Sequence, residues 1–175
     1  VGHIQVVISP PLMSRLSSVT FFTGDITFPD DINNAIQKVG HLDPCHELTL
    51  TQFAGNATVV IHTASPIHGQ AAALYEAVNV RGTSNVIASC ISNGVPKLVY
   101  TSSAGVVYNG TEDLVDVDER LDIPKEALDA YNKTKADAER LVLDANGAPL
   151  QSEKQGLLRT CALRPAGIFG PYDRQ

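Results

Sequence analysis

Short β-branched or aromatic runs alternate along the chain with longer stretches in which apolar positions recur every three to four residues. The short runs predict strands over Ile4 to Ile8, Val19 to Phe22, Thr58 to His62, Lys97 to Thr101 and Arg159 to Leu163. Their near-continuous apolar character is that of strands covered on both faces. Asp30 and Asp31 open a helix through Val39, where their charge favours the N-terminal dipole. A longer helix is expected over about Ala71 to Ser92, stopped by Asn93-Gly94, and a third over about Glu126 to Asp144, ending before Asn146-Gly147. Strands alternating with helices define an α/β protein with a parallel, doubly wound sheet. The segment from Gly40 to Gly55 has no clear period and reads as a surface insertion.

This Rossmann-like pattern lacks its usual beginning. Dinucleotide folds open with a strand, a glycine-rich turn and a helix whose N-terminus holds a pyrophosphate. Here the first strand runs into Ser9-Pro10-Pro11, and proline offers no N–H to a phosphate. Neither G-x-x-G-x-x-G nor G-x-G-x-x-G occurs in the sequence. The first strand therefore corresponds to the second strand of the fold, with the first strand, glycine-rich loop and first helix lacking. In the usual order the first strand sits mid-sheet. Without it, two rows of backbone groups must pair anew, recruit another chain or stay unpaired. Residues 1–175 are expected to be a partial dinucleotide-binding domain, with the smaller C-terminal substrate domain largely absent. A start at Val1 rather than Met fits a truncated piece.

Composition narrows the partners. A net charge of −6 supplies no basic stripe for nucleic acid. No apolar run approaches the roughly 20 residues that cross a bilayer, so membrane association would have to come through other sequence. Three cysteines without C-x-x-C spacing suit a reducing compartment, with Cys90 and Cys161 expected as buried apolar side chains. His41, Asp43, Cys45 and His46 match no zinc spacing, so no metal is expected. The sequons at Asn56, Asn109 and Asn132 read as unused, and the acidic run Glu112 to Glu119 as a solvated loop.

The chemistry concentrates in Tyr131-Asn-Lys-Thr-Lys135 on the third helix, preceded by Thr101-Ser102-Ser103 at a strand end. Tyr and Lys at i and i+4 share a helix face. A tyrosine titrates near 10, and lowering that by about 3 units takes roughly 4 kcal/mol. A cation about 4 Å away at an effective dielectric near 20 is worth about that much. Lys135 is placed to supply it, and Ser103 to hold a substrate oxygen against the phenol.

Four further segments give this pair its context. They are His62-Thr-Ala-Ser-Pro66, Asn79-Val-Arg-Gly-Thr-Ser-Asn85, Lys97 through Tyr108, and Leu163-Arg-Pro-Ala-Gly-Ile-Phe-Gly-Pro171. Their identity, order and spacing resemble the 3β-hydroxysteroid dehydrogenase branch of the extended short-chain dehydrogenases, and within it the fungal sterol-4α-carboxylate 3-dehydrogenases. The resemblance implies Tyr131 as catalytic acid/base, Lys135 as its electrostatic partner and ribose ligand, and Ser103 as the substrate-orienting hydroxyl, with Ser102 the neighbouring alternative. It implies cofactor contacts from Asp25 and Ile26 in a Gly-Asp-Ile element, from His62, Thr63, Ala64 and Ser65, from Asn79, and from Pro165 and Ala166.

By that resemblance the expected activity is oxidation of the 3β-hydroxyl of a sterol 4α-carboxylate to a ketone, with decarboxylation, in sterol biosynthesis. The cofactor is NAD or NADP, with a slight preference for NAD. Ser9 stands where an acid would favour NAD, and Arg15 follows it. A sugar nucleotide or another ketone or alcohol is the alternative substrate, and an inactive fragment the alternative to any turnover. The partner is a small-molecule sterol, with a homodimer left open. The relatives' place is intracellular, at the cytoplasmic face of the endoplasmic reticulum.

Overall fold

A computed structural model describes residues 4–8, 20–38, 57–111, 113–151 and 156–168. Five strands are present: β1 (Ile4–Ile8), β2 (Thr20–Gly24), β3 (Val60–His62), β4 (Lys97–Thr101) and β5 (Arg159–Leu163). Helix α1 spans Pro29–Lys38 and α4 spans Ala130–Asp144. The long middle helix is continuous but changes pitch, from α2 (Ala72–Tyr75) through a π-helical Glu76–Gly82 into α3 (Thr83–Ser92). It stops where expected, with Gly94 at φ +67° and the Val95 N–H donating to the Cys90 carbonyl at 2.9 Å. The π segment was not predicted; apolar spacing does not distinguish one wide turn from an α-helix.

Strands β3, β4 and β5 form a parallel sheet in that order, with Val60 opposite Leu98 and Val99 opposite Cys161. The loops after all three strands therefore gather at one end. Leu98, Tyr100 and His62 are buried on the face toward the helices, where Val78, Val86, Cys90, Ala138 and Val142 complete the core.

Four expectations need correction. First, β1 and β2 pair antiparallel in a sheet of their own, with Ile4 opposite Gly24, instead of extending the parallel sheet. Antiparallel neighbours need no helical crossover, so β1 and β2 can satisfy each other's backbone groups directly. Second, β3 to β5 are covered on one face only among the described residues. Ile61 is 66% exposed and Leu163 54% on the other face. Third, Cys161 is exposed because β5 turns it to that open face, whereas Cys90 is buried as expected. Fourth, α4 starts at Ala130, later than expected, because Asp129 is extended and caps it, accepting from the Asn132 N–H at 2.7 Å. The insertion between Gly40 and Gly55, including the His41 to His46 cluster and Cys45, lies outside the described residues, as do Ser9 and Arg15.

Candidate active site

The turn after β4 and the head of α4 meet over a glycine. Ser103 caps the 3-10 turn Ala104–Val107, its hydroxyl accepting from the Gly105 N–H at 3.1 Å. A Cβ at Gly105 would lie 2.4 Å from Asn132 Oδ1, so any side chain there would push the turn off α4. The turn that carries Ser103 thus packs directly on the head of α4, where Tyr131 sits. Ser102, the alternative, is buried, and its N–H is tied to the Leu163 carbonyl at 2.7 Å. The Ala104 N–H donates to the Pro165 carbonyl at 2.9 Å, which brings Pro165 and Ala166 beside the same turn.

Lys135 departs from expectation. Its Nζ donates to the Thr101 carbonyl at 2.5 Å and lies 4.6 Å from the centre of the Tyr100 ring. Burial brings its pKa down to about 8, opposed by the nearby Glu139 carboxylate. Glu139 is itself buried and held by Arg164 through both its oxygens, at 2.7 to 3.3 Å. Tyr131 is half-buried, and desolvation holds its phenol above the ordinary range. The Ser103 hydroxyl works against that, while Tyr75 and Asp129 add to it. The expected acidification of Tyr131 by Lys135 is thus not the arrangement found. A lysine 2% exposed takes the carbonyl within its reach.

Two residues expected on the cofactor side lie in the core. His62 is 4% exposed, its Nε2 2.9 Å from Thr83 Oγ1, and burial, reinforced by Lys135, brings its pKa to about 3. It is a neutral core histidine. Asn79 is fully buried in the π segment, where its Nδ2 donates to Thr134 Oγ1 at 3.0 Å and so ties the middle helix to α4. Asp25 closes a local turn, accepting from the Thr27 N–H and hydroxyl at 2.9 and 2.8 Å. Ile26 packs against Gly82, where a Cβ would come within 2.5 Å of Ile26 Cδ1, and Asn85 Nδ2 donates to the Ile26 carbonyl at 2.9 Å. The Gly-Asp-Ile element and the Asn79 to Asn85 motif are therefore one packing unit. Thr63, Ala64 and Ser65 line the loop after β3.

Sequence reasoning missed two aromatic neighbours of Tyr131. The His68 ring lies 4.5 Å from the Tyr131 ring, centre to centre, and the Tyr75 ring 5.7 Å away edge-on. The signal was Pro66 and Gly69, which bracket a turn directly after the His-Thr-Ala-Ser stretch.

A nicotinamide dinucleotide needs a floor for its ring and ribose and an N–H-rich cradle for its phosphates. The strand ends fit the first. Ser103 and Pro165 meet there through the Ala104 N–H, at the sheet end that also carries the 63–65 loop, and the buried Asn79 Oδ1 and Ser102 Oγ have no partner among the described residues. The sequence holds no glycine-rich loop for the second. The fit is to the nicotinamide end alone.

A parallel sheet with these loops at its carboxyl end defines a Rossmann-like α/β protein. The chain is structurally similar to the Bordetella bronchiseptica enzyme WbmH in complex with NAD+, with a TM-score of 0.61 and 21% identity over 87% of this chain and 42% of that one. Residues 3–175 match the 3-beta hydroxysteroid dehydrogenase/isomerase family, and the chain belongs to that family. It is 47% identical to the Saccharomyces cerevisiae sterol-4-alpha-carboxylate 3-dehydrogenase ERG26, decarboxylating, over 92% of this chain and 40% of that protein. It is 45% identical to the Schizosaccharomyces pombe protein of the same description, over 89% of this chain and 38% of that protein. The chain thus spans about two fifths of the length of these relatives.

Proposed function

We propose that this chain is the catalytic-side part of a nicotinamide-dependent dehydrogenase that converts a 3β-hydroxysterol 4α-carboxylate to the ketone with loss of the carboxylate. The reading is supported by the packing of the Ser103 turn at the end of β4 onto the head of α4, Gly105 against Asn132, beside Tyr131. The names of the two fungal relatives supply the substrate. Residues 1–175 are read as a partial dinucleotide-binding domain, with most of a smaller substrate domain outside it. The cofactor is read as NAD or NADP, with a lean to NAD from the family resemblance.

Ser103 holds the substrate's C3 oxygen against Tyr131 Oη, and Tyr131 accepts the hydroxyl proton. A bound nicotinamide would supply the acceptor for the hydride from C3. Burial keeps the phenol protonated at neutral pH, so oxidation requires a cation beside it. Lys135, turned from the Thr101 carbonyl toward the phenol, supplies about 4 kcal/mol at 4 Å and an effective dielectric of 20. The new C3 carbonyl is β to the carboxylate. The C4–carboxyl bond then breaks, its electron pair passes into an enolate, carbon dioxide leaves and C4 takes a proton. That second step requires no further residue.

A specific observation favours a second reading, in which these residues alone do not turn over. The sequence has no phosphate cradle, and β3 is paired on one edge only among the described residues. Both readings are tested by following reduced-cofactor absorbance with a 3β-hydroxysterol 4α-carboxylate. The first expects sterol-dependent reduction that Tyr131→Phe lowers by about a hundredfold or more. Turnover within tenfold of the parent in that variant overturns it. No turnover by the parent, with no binding of either cofactor in calorimetry, establishes the second.

A further inference from the structure

The loop after β3 is strapped down in a way that the assigned residues do not use. The Tyr75 hydroxyl donates to the Ile67 carbonyl at 3.0 Å and accepts from the Gln70 N–H at 3.2 Å. Tyr75 is 3% exposed, so the strap is anchored in the core. Gly69, at φ +81°, gives the chain its left-handed step between those two contacts. Held between them, the exposed His68 lays its ring on Tyr131 at a tilt of 52°.

We propose that His68 binds the 4α-carboxylate of the substrate, a specificity-determining donor beside the catalytic tyrosine. The inference rests on the functional reading above and goes beyond it in naming the residue that recognises the carboxylate. That group sits on the carbon next to the one bearing the hydroxyl that Tyr131 must hold. Its partner must therefore be a hydrogen-bond donor in contact with the Tyr131 side chain. Imidazole offers an N–H in either protonation state, and an ionised carboxylate only accepts. Other charged or phenolic donors among the described residues are engaged elsewhere, Tyr75 on the Ile67 carbonyl, Lys133 on Asp137 and Arg164 on Glu139, and Lys135 is committed to the phenol in the reaction. A single imidazole N–H at an exposed position also suits a group that has to leave. A guanidinium would hold the carboxylate bidentately and resist its release.

The test compares two substrates in the full chain, a 3β-hydroxysterol with a 4α-carboxylate and the same sterol with a 4α-methyl group. Two substitutions separate the contributions of the ring: His68→Phe keeps the stacking and loses the donor, and His68→Gln keeps a donor and loses the stacking. His68→Phe is expected to raise KM for the carboxylate about tenfold or more, as expected for a lost hydrogen bond to a charged group. It should leave kcat within threefold and KM for the methyl sterol unchanged, and His68→Gln should recover most of the loss. Equal changes for both sterols, or none for either, overturn the inference while the functional reading stands. A parent chain that oxidises neither sterol overturns both.

Discussion

The two faces of the sheet formed by β3, β4 and β5 are built from similar residues and have opposite fates. On one face Leu98 and Tyr100 are 1% and 0% exposed under the helices, and His62 is buried enough to stay neutral well into acid. On the other, one residue along the same strands, Ile61 and Leu163 are more than half exposed. Apolar alternation states which faces a strand would bury, and what arrives to cover them is decided elsewhere in the polypeptide. Apart from Asp25 and Ile26, which follow β2, the described residues of the candidate site lie on the covered face, on the helices that cover it or in the loops at its end. The helices there supply Tyr131 and Lys135 and also the burial that shifts their proton affinities.

The covered face depends most on an ion pair at its rim. Glu139 is 2% exposed in its side chain and answered by Arg164, 17% exposed, from the end of β5. Removing one partner leaves a buried charge, so Arg164→Ala should cost about 3 kcal/mol or more in denaturant unfolding. The double replacement Arg164→Met with Glu139→Leu should recover most of it. A single substitution that unfolds at the parent's denaturant midpoint would show that the pair contributes nothing and that the two faces are held alike.

That pair also illustrates what the sequence disclosed. All five strands lie within two residues of expectation at each end, β1, β4 and β5 with identical bounds, because short β-branched runs leave little freedom. That Tyr131 and Lys135 share a helix whose head packs on the Ser103 turn was legible from spacing and order. What Lys135 touches was not, because i and i+4 spacing fixes a helix face and leaves the choice of acceptor to the packing around it. His62 was expected to reach the cofactor because its motif continues into the loop after the strand, yet the strand's alternation turns its side chain inward to Thr83. The antiparallel pairing of β1 with β2 was unreadable because the pairing partner and direction of a strand are set by tertiary contacts that local propensity does not record.

His62 gives a sharper test by titration. Its pKa is about 3 in the fold, below the ordinary histidine value near 6.5. The unfolded chain therefore binds more protons between these limits, and stability rises with pH across that window. Acidification from pH 6.5 to 5 should remove about 2 kcal/mol, from roughly 1.4 kcal/mol per unit. His62→Asn should flatten that slope in thermal melts followed by circular dichroism. A slope unchanged by the substitution would mean that the histidine is hydrated, and that the covered face is less dry than its burial indicates.

The smallest effect belongs to the open face and separates its two explanations. Ile61→Thr and Leu163→Thr remove apolar surface that water already reaches, so each should change the stability of this chain by no more than about 0.5 kcal/mol. Introduced into a longer polypeptide whose further residues cover that face, each would delete buried methyl groups and cost about 1 kcal/mol or more. The same substitutions thus read out whether a second layer is present. A large loss in the 175-residue chain itself would mean that the face is already covered, by a second copy or by residues outside the described set. The loss would then fall on dilution in the first case and be independent of concentration in the second.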